Sequence, residues 1–294
     1  MNRFSIRDIE NLTGIKAHTL RIWEQRHGII VPKRTDTNIR YYDGDDLKQA
    51  LRIALLNQHG YKISRIQKMN EEEINTLLRE TADTGFQFEY LLNNMIEATI
   101  DMDTRKFESL VDKYIRKFGL EQAVEQLFFA FLEKIGVMWM TNRLFPAQEH
   151  LVSNIIIRKI LLAIEKQAAK PDFTQSTFLL FLPEGEIHEI GLLYIQYQLQ
   201  KHDKHTIYLG ANTPVDQVAL VCKAVEPDYL YTHVTSASSD FDINSFLSRL
   251  SEVHNHKTIF VSGSMLQKTQ ITTSFPNVIF LSSLEEAKIA IYNL

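Results

Sequence analysis

The chain has 294 residues, 45% of them hydrophobic and 23% charged, which suits two or three globular domains and includes no low-complexity tract. No run of about 18 uncharged apolar residues occurs, so no membrane span is expected. The N-terminus lacks the apolar stretch of a secretory signal, and the single cysteine, Cys222, excludes an internal disulfide, so a cytoplasmic setting is expected. The net charge of −4 hides an asymmetry, because residues 1–70 carry 13 Lys and Arg against 7 Asp and Glu. A basic end on an acidic protein predicts one module that faces a polyanion.

In that basic segment Ser5 is placed to cap a helix whose Ile6, Ile9 and Leu12 recur at helical spacing. Thr13-Gly14 ends it, since glycine accepts the left-handed C-cap conformation. A second helix is predicted from about Lys16 to His27, with Leu20 and Trp23 inward and Lys16, His18, Thr19, Arg21, Glu24 and Gln25 outward. Two short helices about a tight turn form a helix-turn-helix, whose second helix enters the major groove of double-stranded DNA. Past Gly28, the stretch Ile29–Tyr42 has apolar ends around a basic centre and reads as a β-hairpin wing. Lys33, Arg34 and Arg40 are placed for phosphates, with Tyr41 or Tyr42 offering a hydroxyl. Helices resume at Asp45-Asp46-Leu47 and at Lys62–Ile66.

The run Thr19-Leu20-Arg21-Ile22-Trp23-Glu24, followed by Pro32-x-Arg34 and Asn38-Ile39-Arg40-Tyr41-Tyr42, resembles the MerR family of winged-helix regulators. The resemblance covers residues 1–70 and implies an operator-binding regulator, with Arg21 as the foremost DNA contact and Trp23 in the core. MerR-like metal sensors carry cysteines beside a long dimerising helix after the wing; this chain has none there, so metal or thiol sensing is not implied.

Residues 71–85 read as a short helix and a linker, and residues 86–170 as a four-helix bundle with helices near 86–99, 103–117, 120–138 and 146–168. Phe107, Tyr114, Phe118, Phe128, Phe129 and Phe131 are expected in its core. Trp139 ends one helix, Pro146 suits the first turn of the next, and Glu149-His150 follow on that turn. A Trp, nine residues, then Glu-His resembles the helical cap of light-sensing, cobalamin-dependent MerR-type repressors of the CarH and LitR type. The resemblance implies that Trp139 covers the upper face of a corrin and that Glu149 and His150 contact its adenosyl group. These repressors often place a histidine directly after the tryptophan; here Met140 stands there, so a second protein ligand for the photoproduct does not carry over.

In residues 172–294 strands predicted at Thr177–Leu182, Thr206–Leu209, Tyr229–Val234, Thr258–Ser262 and Val278–Leu281 alternate with helices near 188–202, 214–225, 242–255 and 284–293. That alternation predicts a flavodoxin-like (Rossmann-type) α/β domain with a parallel sheet. The loop after its first strand carries His188, with Glu186 in reach of the imidazole, and Gly191 for close helix approach. Glu186-x-His188-x-x-Gly191 resembles the Asp-x-His-x-x-Gly motif of cobalamin-binding domains, which makes His188 the lower cobalt ligand. Two further motifs of that family line the channel for the cofactor's nucleotide tail. Their counterparts here, Thr235-Ser236-Ala237-Ser238 and Gly263-Ser264, are degenerate, and the Ser264 hydroxymethyl is expected to crowd the tail.

The expectation is a non-enzymatic repressor controlled by cobalamin, most naturally adenosylcobalamin, and by the family's behaviour by light, acting as a homo-oligomer (dimer or tetramer). Two alternatives stay open. The sensor unit can have lost the corrinoid and answer a protein partner or another ligand; an enzyme or corrinoid carrier would leave the winged helix unexplained.

Overall fold

In the computed structural model, which describes residues 2–81, 83–167, 176–236 and 241–293, Ser5 caps helix α1 (Ile6–Thr13) reciprocally with Asp8. Gly14 ends it at φ 72°, and α2 (Ala17–His27) follows and stops at Gly28, also left-handed. The wing is a pair of two-residue strands, β1 (Lys33–Arg34) and β2 (Arg40–Tyr41), paired antiparallel. Tyr42 departs from expectation. It is 2% exposed, and its backbone bridges Phe4. Side chains alternate along an extended segment, so Tyr42 turns into the core and Tyr41 is the wing tyrosine.

Asp43 caps α3 (Gly44–Gln58), which buries Leu47, Ala50, Leu51, Ala54 and Leu55, and α4 (Ile63–Ile66) follows. The expected linker stretch is mostly helix α5 (Glu71–Glu80), capped by Asn70. Helix α6 (Thr84–Ile100) then packs along α3. Across that contact Arg52 grips Glu97 through Nε and Nη2, both at 2.9 Å, and Lys106 adds a second cation at 3.3 Å. Glu97 is 3% exposed, so removing Arg52 would leave a buried charge poorly compensated. The winged helix is docked on the bundle by this pair.

Helix α7 (Thr104–Gln122) breaks at Gly119 (φ 83°), and a π-helical turn (Ala123–Phe128) leads into α8 (Phe129–Met140). Helix α9 (Pro146–Gln167) follows after a short loop. Phe107, Phe128 and Phe131 are fully buried, as expected, but Phe118 is 42% exposed. The break at Gly119 turns Phe118 outward, where it pairs with Tyr114 and lies under the Lys117 ammonium.

The chain divides into two compact units, residues 1–155 and 156–294. The second is built on strands β3 (Thr177–Pro183), β4 (His205–Thr213), β5 (Tyr229–His233), β6 (Thr258–Ser262) and β7 (Val278–Leu281). Between and after them run α10 (Ile190–Lys201), α11 (Val215–Val225), α12 (Ile243–Val253), α13 (Met265–Lys268) and α14 (Leu284–Tyr292). All neighbouring strands are parallel, in the order β4-β3-β5-β6-β7. Alternation along β3 decides the layers. Phe178, Leu180 and Leu182 face α10 and α14, while Leu179 and Phe181 face α11 and α12. This is the flavodoxin-like order, and its direction reverses between β3 and β5, where ligands of such sheets seat at the strands' carboxyl ends.

Candidate functional site

The expected DNA surface lies on α2 and the wing. Lys16, His18, Arg21, Lys33, Arg34 and Arg40 are exposed, and Thr19 and Tyr41 partly so. Several of these cations are engaged within the protein. Lys16 pairs with Glu10 at 3.2 Å, Arg40 with Glu24 at 3.8 Å, and Lys33 sits between Asp43 and Asp46. Arg34 donates to the Asn38 side chain at 2.7 Å and so braces the turn of the wing. Arg21 makes no ion pair among the described residues, and its guanidinium has no internal competitor for a phosphate or base edge. Arg3, which sequence reasoning passed over, lies 4.9 Å over the Tyr41 ring. It adds a cation beside the wing.

In the α/β unit the loop after β3 is organised around Glu186, which is fully buried. One carboxylate oxygen accepts the backbone N–H groups of Ile187 and His188, each at 2.9 Å, and lies 2.6 Å from His188 Nδ1. The other accepts the N–H groups of Thr235 and Ser236 after β5, each at 2.7 Å. Burial pushes this carboxyl up, but the His188 ring and the backbone donors of His188, Ser236 and Thr235 outweigh it and hold it at about 2. A carboxylate on Nδ1 keeps the proton there and places the imidazole lone pair on Nε2. The His188 side chain is 46% exposed and stands at the switch point of the sheet.

Thr235 and Ser236, expected to line a tail channel, thus anchor Glu186 through their backbones; Ala237 and Ser238 lie outside the described residues. Gly263 sits at φ 114°, where an added Cβ would lie 2.2 Å from the Val234 carbonyl oxygen. Its bareness admits the neighbouring backbone. The Ser264 hydroxyl turns to the Thr235 carbonyl at 3.0 Å. Gly191 does permit a close approach, and what approaches is His233. A Cβ on Gly191 would lie 2.3 Å from His233 Nε2. His233 Nδ1 lies 2.7 Å from Ser262 Oγ, which also accepts from the Tyr231 hydroxyl at 2.9 Å. Sequence reasoning missed His233 and Ser262. The one available signal was a polar residue ending each of two otherwise apolar strands.

In the bundle, Trp139 ends α8 and is 48% exposed, and Glu149 and His150 sit on the first turn of α9, as expected. Glu149 accepts from the Ser153 hydroxyl and lies 3.6 Å from the His150 ring. The loop that joins Trp139 to this turn reaches the winged helix, a contact the sequence did not disclose. Asn2 donates to the Arg143 carbonyl at 2.8 Å and to Gln148 at 3.1 Å. Arg143 donates to the Arg3 carbonyl at 3.0 Å, and its Nε lies 2.7 Å from Asp8 on α1. The N–H of Nε is not aimed at that carboxylate, so this contact is a charge pair and not a directed hydrogen bond.

Residues 4–73 match the MerR HTH family regulatory protein, and residues 91–162 the B12 binding domain. Two Myxococcus xanthus proteins are similar over most of their lengths. The HTH-type transcriptional repressor CarH is 26% identical over 245 residues, covering 81% of this chain and 81% of that protein. The HTH-type transcriptional repressor CarA is 26% identical over 244 residues, covering 82% and 80%. The Methanosarcina barkeri monomethylamine corrinoid protein shares the fold at a TM-score of 0.54 and 15% identity, over 69% of this chain and 98% of its own. The chain thus joins a segment that matches a MerR HTH regulatory module to one that matches a B12 binding domain, and it is similar over most of its length to two transcriptional repressors.

Proposed function

We propose that the chain is a non-enzymatic repressor whose operator affinity is set by a corrinoid that His188 ligates from below. The observation that carries this reading is the Glu186 lock. A buried carboxylate spends four backbone donors to fix one imidazole tautomer at the switch point of the sheet. Metal-ligating histidines receive that kind of support from a neighbouring carboxylate. A corrin brings its own equatorial nitrogens, so one protein imidazole suffices; among the described residues no three His, Cys, Asp or Glu side chains converge on a common point. When bound, the cobalt would offer a position for an adenosyl group, the form that the resemblance of Trp139, Glu149 and His150 to the helical cap of cobalamin-dependent repressors implies.

The bundle's own candidate effector surface is Trp139 with Glu149 and His150. Its loop holds Asn2 and Arg143 against the start of the winged helix, which supplies a physical route from effector to α1. An effector acts through such a route only by binding the two states of the protein unequally; a ten-fold change in operator affinity corresponds to about 1.4 kcal/mol. DNA is held by Arg21 with the wing, on repeated half-sites by a symmetric oligomer. An adenosylcorrinoid held by His188 would make operator binding sensitive to light, with the DNA released on illumination, and Met140 beside Trp139 would offer it no further imidazole.

The test is spectroscopic. Full-length protein mixed with adenosylcorrinoid in the dark and desalted should retain corrinoid absorbance, and His188→Ala should change the spectrum. An identical spectrum in His188→Ala would remove His188 as ligand. A second reading, in which the sensor answers a protein partner, is favoured by the crowding at Gly191.

A further inference from the structure

The same α10 face of the sheet holds a feature that the corrinoid reading does not require. Tyr231 and His233 on β5, with Phe260 and Ser262 on β6, point to one side. There α10 starts across them with Gly191 in its first turn. The counterparts of the tail-channel motifs, Thr235-Ser236 and Gly263-Ser264, follow these same two strands, so the gap between the strand ends and Gly191 is where a nucleotide tail would enter. Here it is filled. The His233 ring meets Gly191 edge-on, with Nε2, Cδ2 and Cε1 all within 2.8 Å of where a Cβ would stand. Not even a methyl group fits. A flat aromatic base needs about 3.5–4.0 Å of carbon-to-carbon clearance on each face.

The ring is also held in place. Tyr231 donates to Ser262 Oγ, and the Ser262 hydroxyl is left to donate to His233 Nδ1, at 2.9 and 2.7 Å. Tyr231 is 1% and Ser262 6% exposed, so displacing the imidazole would leave the buried Ser262 hydroxyl without its acceptor. A chance rotamer would not be braced in this way.

We propose that His233, braced by Ser262 and Tyr231, is a plug that excludes the nucleotide tail, so that this unit accepts corrinoids whose lower face carries no tail. The proposal rests on the corrinoid reading above and names its ligand class: a cobinamide-type ring, ligated by His188 with nothing threaded between α10 and the sheet. An intact cobalamin would have to leave its tail outside.

Binding of adenosylcobalamin and of adenosylcobinamide, which lacks the tail, is measured by absorbance titration of the full chain in the dark. Wild type should bind adenosylcobinamide at least ten-fold more tightly. The His233→Ser/Ser262→Gly double variant, folded by circular dichroism, should gain at least ten-fold for adenosylcobalamin. Wild type binding adenosylcobalamin as tightly as adenosylcobinamide, or more so, overturns the plug and leaves the corrinoid reading standing. Wild type binding neither while the double variant takes up adenosylcobalamin overturns the proposed ligand class and removes the corrinoid from the native function. A folded double variant with no gain overturns the plug. A ligand-free readout runs in parallel. Gly191→Ala should lower the thermal midpoint in wild type and leave it unchanged or raised in a His233→Ser background, where the collision is gone. Equal effects in both backgrounds overturn the packing that the plug requires.

Discussion

Glu186→Gln is the sharpest test of how the α/β turn is held. The carboxylate serves Ile187, His188 and the His188 ring with one oxygen and Thr235 and Ser236 with the other. An amide keeps a single acceptor oxygen and points its own N–H groups at donors. At least two charge-assisted bonds are lost, at about 1.5–3 kcal/mol each, so the expected cost is about 3–6 kcal/mol. The titration gives a second figure. A carboxyl held at about 2 against a reference value of 4.5, at about 1.4 kcal/mol per unit, corresponds to about 3 kcal/mol. We therefore expect a loss near the lower end, about 3 kcal/mol at pH 7. Because the folded value lies below the unfolded one, this stabilisation is fully present above about pH 4.5 and fades as pH falls towards 2. The gap between wild type and variant should accordingly narrow at pH 3. Urea unfolding followed by far-ultraviolet circular dichroism reads it, and tryptophan fluorescence serves as an internal reference, since Trp23 and Trp139 both lie in the first unit. An unchanged midpoint, or a loss as large at pH 3 as at pH 7, would refute the reasoning.

Three further outcomes are expected. Arg21→Ala should weaken operator binding by about 1–3 kcal/mol and lessen its salt dependence by roughly one phosphate's share; an unaltered anisotropy titration would take Arg21 off the interface. Arg143→Ala should leave affinity for DNA within two-fold yet shrink the change that an adenosylcorrinoid produces; an undiminished change would show that the loop contact to α1 carries no signal. Burial pushes His233 down to about 4, with the Glu186 charge opposing. Its folded value thus lies below the unfolded 6.5, so stability is held above that pH and drains as pH falls from 6.5 towards 4. His233→Asn should flatten that part of the stability–pH curve, and a curve of unchanged slope would contradict the assignment.

Much of this architecture is written locally. Ser5, Gly14 and Gly28 punctuate the winged helix because caps and left-handed stops are properties of single residues. The five strands are legible as apolar runs, with β6 and β7 falling on the expected residues, although β4 extends through Asn212 to Thr213 beyond its apolar stretch. The Glu186–His188 pair is legible because two residues of separation bring it together. What escapes is long-range. Arg143 meets Arg3 across 140 residues and His233 meets Ser262 across 29, and neither partner carries a mark in its own neighbourhood. Phe118 was misplaced for a different reason, since one left-handed glycine rotated a face that helical periodicity had assigned to the core.

The most direct test of control by a corrinoid is fluorescence anisotropy of the full chain, in the dark, on a duplex selected from random DNA by the protein itself. Titrations are run with and without saturating adenosylcobinamide. The affinity should change by at least ten-fold with the corrinoid in wild type and stay fixed in His188→Ala. Identical wild-type curves with corrinoid demonstrably bound would contradict it, leaving a DNA-binding protein whose effector is something else.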